Sequence, residues 1–528
     1  MSAKTAETAL IPFPIPYMGV DWSVPYSEVQ HPYCPMLVGY IADGQSVAVA
    51  NPYLQMNDQT ASEAVAYAIP VDSTTMLVRN GYSAQTQTLA TDTSTFTNIA
   101  GAASATLTSK LWLDYCDYSD RTFIYTATGD VYSYAAGVIA SAFAITRPPN
   151  GSAGGICVYR DRIYVAENKT LYFAPIPGAV SGTFSTLNLA SIIGDCFATD
   201  VKPLSSSGQD TVQEFLVVST SKGAIYLFTG DFPGSSNWRL ITSIQASNTS
   251  GSDYNKLRRI PGDLLFCGYE NPHILSVRAL LEAGPAAAYE SSYIAKVYNF
   301  LSNKGYLLGD VVYSAKEHKL YFVIAPDTSG SPSGYAISSK DFTNRAWYDH
   351  WLFIVDMASG AISLHYPPVA SPSSSTFNFR FYDNGRNTLF PHLDGSVYCL
   401  NTRADFFRVF ATSGGAYPVA GDDPAYPALY FPYSNLSDES EKTIAMSYPV
   451  IGSTGGSADY NLYLDLDFER SSTLNAFRMT KAAGVPYTKR QKLPTSGCGV
   501  DVGPIVRSTF IAGFTVIRLT LQIRPGGP

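Results

Sequence analysis

Short apolar runs with strand period, each broken by a polar turn, recur along most of the chain. RTFIYTATGDVYSY turns at Gly129-Asp130, DRIYVAENKTLYFAP at Glu167-Asn168-Lys169, and EFLVVSTSKGAIYLFTG at Lys222-Gly223. GDLLFCGYENPHILSV turns at Glu270-Asn271-Pro272, HWLFIVDMASGAISLHY at Ser359-Gly360, and NTLFPHLDGSVYCLN at Asp394-Gly395. A shorter copy, TTMLVRNGYS, turns at Asn80-Gly81. Gly or Asn at the turn supplies the positive φ that a tight hairpin needs. The main turns lie 39, 55, 48, 89 and 35 residues apart, and the longest interval holds a further strand, KLYFVIAP. Hairpins at intervals near 50 residues predict the repeated four-stranded blades of a β-propeller over residues 111–405. A β-sandwich or two stacked barrels is the structural alternative.

Near residue 405 the texture changes. After a loop rich in Gly, Pro and Asp, NLYLDLDFER alternates cleanly: Leu462, Leu464, Leu466 and Phe468 point one way, and Tyr463, Asp465, Asp467 and Glu469 the other. FTVIRLTLQIRP adds a last strand, so residues 406–528 read as a separate small β-sandwich. Residues 1–60 are Pro-rich and read as an extended arm, and residues 1–110 as that arm with the first strands. One helix is predicted in GPAAAYESSYIAKVYNFLSNKG, with Pro285 in its first turn, Ile294, Val297, Phe300 and Leu301 on one face, and Asn303 and Gly305 as its stop. The fold class is all-β.

Composition sharpens this picture. Apolar residues make up 46% of 528, enough for a large core, but charged residues only 15%, and 37 Tyr, 27 Phe and 41 Gly fill the gap. Average domains carry about 25% charge. A surface so poor in charge fits a protein covered by copies of itself or by partners. The net charge of −8 excludes tight nucleic-acid binding, which needs many cations to replace phosphate counterions, but lets DNA pass without sticking.

Cys34, Cys116, Cys157, Cys196, Cys267, Cys399 and Cys498 are scattered, odd in number and never paired as C-x-x-C, which gives neither a disulfide framework nor a zinc site. Free thiols imply assembly in a reducing cytoplasm. The N-terminus is broken by Pro12, Pro14 and Pro16 and reads as no secretory signal, and no apolar run is long enough for a membrane span. The sequons at Asn150, Asn168, Asn248 and Asn435 read as chance matches in a Ser/Thr-rich chain.

Candidate chemistry is sparse. The P-loop, nucleophile-elbow and zincin motifs are absent, and His31, His273, His318, His350, His365 and His392 have no metal-ligand spacing. Asp465, Asp467 and Glu469 share a strand face that could hold a cation, but they read first as a solvated face. The acidic run Asp438-Glu439-Ser440-Glu441 and the basic run Lys489-Arg490-Gln491-Lys492 read as exposed loops. Thr229-Gly230-Asp231-Phe232-Pro233-Gly234 with Trp238 approaches a sialidase-type turn, but its spacing differs and it occurs once. The expectation is therefore a non-enzymatic protein with no catalytic, cofactor-binding or metal residues and no cofactor.

The segment from about 158 to 301 resembles the β-propeller tail nozzle proteins of short-tailed bacteriophages, the tail hub or packaged-DNA stabilisation family. Gly230, Asp231, Pro233 and Trp238, then Gly262, Asp263 and Leu264, follow the order of that family's motifs, and LDLDF with the RPGGP ending resembles its platform domain. The resemblance implies a structural virion protein, made in the host cytoplasm, that forms a homo-hexameric ring below the portal and adaptor. Such a ring continues the DNA conduit and helps to retain or deliver the genome. Implied partners are further copies of the chain, the portal/adaptor protein, tail fibre, spike or needle proteins, and viral DNA passing without sequence-specific binding; membrane anchoring is not implied. The alternative is a receptor-binding or glycan-processing propeller of a tail spike or fibre.

Overall fold

The computed structural model describes residues 8–21, 24, 28–49, 53–55, 65–71, 75–80, 83–88, 96–99, 107, 110, 112–145, 154–207, 212–245, 257–259, 264–267, 273–283, 306–314, 317–326, 351–365, 382–383, 388–391, 397–400, 428–435, 441–452, 458–466, 477–481, 492–508 and 515–525. Nearly all of them lie in antiparallel strands or their turns.

The repeating hairpins form the blades of a β-propeller. Among the described residues seven meandering sheets follow one another. Blade 1 is Val65–Pro70, Thr75–Asn80, Ser83–Thr88 and Phe96–Asn98. Blade 2 is Trp112–Tyr118, Arg121–Thr126, Asp130–Ala135 and Val138–Ala144, with Gly182–Thr183 added in parallel at its edge. Blade 3 is Gly155–Tyr159, Arg162–Glu167, Thr170–Phe173 and Ser185–Asn188. Blade 4 is Ala198–Ser207, Val212–Thr220, Ala224–Thr229 and Arg239–Gln245.

Blade 5 shows three strands, Leu257–Arg259, Leu264–Cys267 and His273–Ser276, followed by a short helix, Val277–Ala283. Blade 6 is Tyr306–Ser314, Lys319–Pro326, Trp351–Asp356 and Ile362–His365. Blade 7 is Tyr382–Asp383, Thr388–Pro391 and Val397–Leu400, and its fourth strand is Tyr53–Gln55 from the other end of the chain, with Leu54 opposite Cys399. The first strands pack side by side from blade 2 through blade 7 and on to blade 1. Val71 of blade 1 shares a cleft with Asp117–Thr122 of blade 2, which completes the circle. The helix expected over 284–305 lies outside the described residues.

The second body is a two-sheet sandwich. One sheet orders Tyr40–Ala42, Val47–Val49, Thr515–Pro525, Lys442–Gly452 and Leu493–Gly499, with Ala9–Phe13 also paired along Thr515–Pro525. The other orders Met36–Val38, Ala428–Tyr430, Val502–Ser508, Ala458–Leu466 and Phe477–Lys481. Tyr40 and Ser508 hydrogen-bond between the sheets at 3.0 Å, and Phe13 meets Phe431 edge-to-face at 6.4 Å. Leu462 and Leu464 are buried, as the alternation predicts.

The residues before 111 therefore divide three ways: the first strands complete the C-terminal sandwich, Tyr53–Gln55 closes blade 7, and Val65–Asn98 makes blade 1. The sandwich is also continuous with the propeller. Val38 pairs in parallel with Leu364, so blade 6 and the second sandwich sheet form one nine-stranded sheet.

Candidate functional site

The polar groups of greatest consequence lie on the inner strands, where blades meet. Asp114 of blade 2 and Asp200 of blade 4 hold equivalent ladder positions, opposite Tyr125 and Ser219, and each follows a register shift in its strand. Both are buried. Each carboxylate accepts a backbone N–H from the next blade: Ile156 donates to Asp114 Oδ2 at 3.0 Å and Leu257 to Asp200 Oδ2 at 2.9 Å. Lys202 Nζ donates to Asp114 and to the Ile156 carbonyl at 3.1 Å, and stands 3.4 Å from Asp200 Oδ1. One ammonium thus compensates two buried carboxylates across three blades. Unpaired, either carboxylate would carry a heavy desolvation cost. Tyr125 of blade 2 likewise donates to the fully buried Glu167 of blade 3.

A second set of ties runs along the turns joining the first and second strand of blades 2 and 3. Tyr118-Ser119-Asp120-Arg121 and Tyr159-Arg160-Asp161-Arg162 are successive copies of one turn, with positive φ at both central residues. Tyr118 donates to the Asp161 carbonyl at 3.0 Å, and Tyr159 to the carbonyls of Gly230 at 3.0 Å and Glu214 at 3.2 Å. Each copy therefore grips the following blade.

The second copy also engages the loop that carries the Gly230–Trp238 motif. Arg160 pairs with Asp231 at 2.6 Å and with Glu214 at 3.4 Å, and the Arg162 guanidinium sits 4.4 Å over the Phe232 ring. Asn237 donates to Asp231 Oδ2 at 2.9 Å. These bonds from Asn237 and Arg160 hold the Asp231 carboxyl below its ordinary range. Trp238 stacks on Phe228 at 5.6 Å and Pro233 is buried. Gly230 has φ +116, and a Cβ there would meet Trp238 backbone at 2.5 Å, so only glycine fits the corner. Of the other motif residues, Leu264 begins a blade 5 strand, and Gly262 and Asp263 lie outside the described residues.

The remaining sequence candidates are dispersed. His318 bonds Tyr313 at 2.9 Å on blade 6, and His31 lines a cleft of the sandwich. Asp465 falls within the strand Ala458–Leu466, while Asp467 and Glu469, like Lys489–Gln491 and Asp438–Ser440, lie outside the described residues. Burial pushes the thiols of Cys116 and Cys157 well above their usual range, which makes them poor nucleophiles. Among the described residues no group of three His, Cys, Asp or Glu side chains is placed to hold a metal ion, and no helix is long and apolar enough to cross a membrane. The buried carboxylates and Lys202 are spent on one another and on backbone groups, an arrangement suited to holding blades together. Sequence patterns missed it because nothing in WLDYCDY or ATDVKPLSSS marks one aspartate as buried against the next blade. The Tyr-x-Asp-Arg repeat was a usable signal.

No family model and no curated protein matches the chain. Among solved structures it is similar to the WD40 β-propeller domain of Doa1, with TM-score 0.39 and 8% identity over 68% of this chain and 98% of that one. The WD40 domain of Neurospora crassa Pan2 gives TM-score 0.41 and 9% identity over 68% and 98%. Chaetomium thermophilum Raptor gives 0.43 and 10% over 68% and 30%. The blade topology carries the propeller assignment here.

Proposed function

We propose that this chain is a non-enzymatic structural subunit of a virus particle: a tail nozzle protein that closes head to tail into a ring, a hexamer, below the portal and adaptor and continues the DNA conduit. The observation that carries the reading is the nine-stranded sheet running from blade 6 into the sandwich. A wall that holds its shape while DNA passes needs its two bodies joined; the Val38–Leu364 pair is supported by hydrogen bonds from Gly39 to the Leu364 carbonyl and between Ile362 and the Met18–Val20 segment, each at 3.0 Å. The resemblance in the Gly230–Trp238 segment supplies the particle, the ring and the number six. The low charge content supports extensive contacts between copies, because few ions must be desolvated. The exposed Leu10 and Ile517 on one sandwich sheet add apolar surface for such contacts.

Imaging of intact particles tests the proposal. The expected result is a ring of this chain on the DNA axis, directly beneath the portal and adaptor. Trimers at fibre tips, or a peripheral spike away from the axis, would replace the conduit reading with that of a receptor-binding protein.

A further inference from the structure

We propose that a cleft in the sandwich binds a neutral pyranose unit of a glycan. The cleft encloses about 500 Å³ where the N-terminal strand, the segment around His31 and the 432–435 segment converge. That volume lies within the range of small-molecule sites. Its apolar walls come from Pro12, Pro14, Phe13 and Tyr433. Tyr433 is seated against Gly503, where a Cβ would stand 2.7 Å from the ring, so the aromatic wall is fixed in place by a missing side chain.

The polar lining selects the ligand class. Gln30 and Asn435 are exposed amides that both donate and accept, and Asp501 adds a carboxylate acceptor. His31 Nε2 stands 3.2 Å from the Ile15 carbonyl, which can only accept, so that nitrogen donates to it and holds the ring against the N-terminal segment. Among the described residues of the lining there is no Lys or Arg, so they offer a phosphate, a sulfate or an acidic sugar no countercharge. A single carboxylate is too little for a divalent cation. A ring with apolar C–H faces and a rim of uncharged hydroxyls meets both halves of this lining: its faces lie on the proline and aromatic walls while its hydroxyls exchange hydrogen bonds with the amides and the carboxylate.

The test uses the purified full chain and saturation-transfer NMR with methyl glucoside, galactoside, mannoside and rhamnoside, beside sialyllactose and a sulfated galactose. The expected result is transfer to at least one neutral glycoside, weakened at least tenfold in affinity by Asn435→Ala and by Gln30→Ala with unchanged thermal unfolding. The two exposed amides are chosen because their loss leaves the Tyr433–Gly503 contact intact. The proposal is overturned if no neutral glycoside binds, if the acidic sugars bind better, or if both variants bind as the parent does. It stands apart from the conduit reading, which particle imaging decides.

Discussion

Asp200 occupies the space that a side chain at Gly155 would need: a Cβ built on Gly155 would lie 2.0 Å from Asp200 Oδ1 and 2.9 Å from the Val201 nitrogen. Gly155 faces Ala166 in blade 3, the ladder position that Asp114 and Asp200 hold in blades 2 and 4. The same four-residue step leads from Asp114 to Tyr118 and from Gly155 to Tyr159. Blade 3 gives up its side chain there so that the carboxylate of blade 4 can enter. Gly155→Ala is therefore expected to destabilise the protein by about 1–3 kcal/mol through overpacking. Urea midpoints at unchanged m-value measure it. Combined with Asp200→Gly, the added cost of the alanine should shrink but not vanish, because the Val201 nitrogen at 2.9 Å remains, and strict additivity would refute the part assigned to the carboxylate.

Asp114 makes a different kind of contribution. Its carboxylate is the partner of Lys202 and the acceptor for Ile156 N–H. Asp114→Ala leaves an ammonium and an amide without that partner in a buried setting, and the expected loss is about 3–5 kcal/mol. Asp114→Asn keeps an acceptor for the amide and should lose less. Equal losses in the two variants would mean that the backbone bond contributes nothing.

The Asp231 carboxyl is held below its ordinary value, 3.8, by Asn237 and Arg160. A depressed acid stabilises the fold above its unfolded value and loses that contribution as pH falls through the lower folded value. The docking of the 230–238 loop on blade 3 should therefore be unchanged from neutral pH down to about 4 and weaken only below that. Asp231→Asn should remove this acid-side step. Amide exchange at Trp238, whose N–H donates to Ser235, reports it, and a step of the same size in the variant would assign the pH dependence elsewhere.

How much of this was legible depends on whether an interaction is local. The hairpins were readable because the turns require positive φ and the chain shows how it is met: Gly129 at +85°, Asn168 at +55°, Gly223 at +75° and Gly360 at +76°. The inward alternation of Leu462 and Leu464 was readable for the same reason. By contrast, Tyr53–Gln55 is three residues long and pairs with a strand more than 300 residues away, so no periodicity marks it. The Tyr-x-Asp-Arg turns contain neither the Gly nor the Asn that marks the next hairpin in each of those blades. Ser119, Asp120, Arg160 and Asp161 reach positive φ without glycine. The contacts of Asp114, Asp200 and Lys202 could not be read at all, because a buried aspartate and a solvated one look alike until the neighbouring blade is in place.

The closure of blade 7 yields the last prediction. The propeller circle is completed by backbone pairing of Tyr53–Gln55 with Val397–Leu400, three residue pairs in all. Such a short ladder is a weak point in a ring whose other described blades pair strands that follow one another in sequence, and opening there would free blade 7 from the strand that leads into blade 1. Leu54 lies directly opposite Cys399, so Leu54→Cys places two cysteines at a cross-strand pair and needs no second substitution. Oxidation should join them and close a loop of more than 300 residues. In the chain-entropy view a cross-link of that span raises stability by up to about 5 kcal/mol. The expected outcome is a higher unfolding temperature for the oxidised variant than for the reduced one, with the reduced variant at or below the parent. Cys399→Ser in the same background should abolish the difference. A bond that forms in the folded protein without raising the unfolding temperature would show that strain in the native pair offsets the constraint on the unfolded chain, and would refute the stabilisation predicted here.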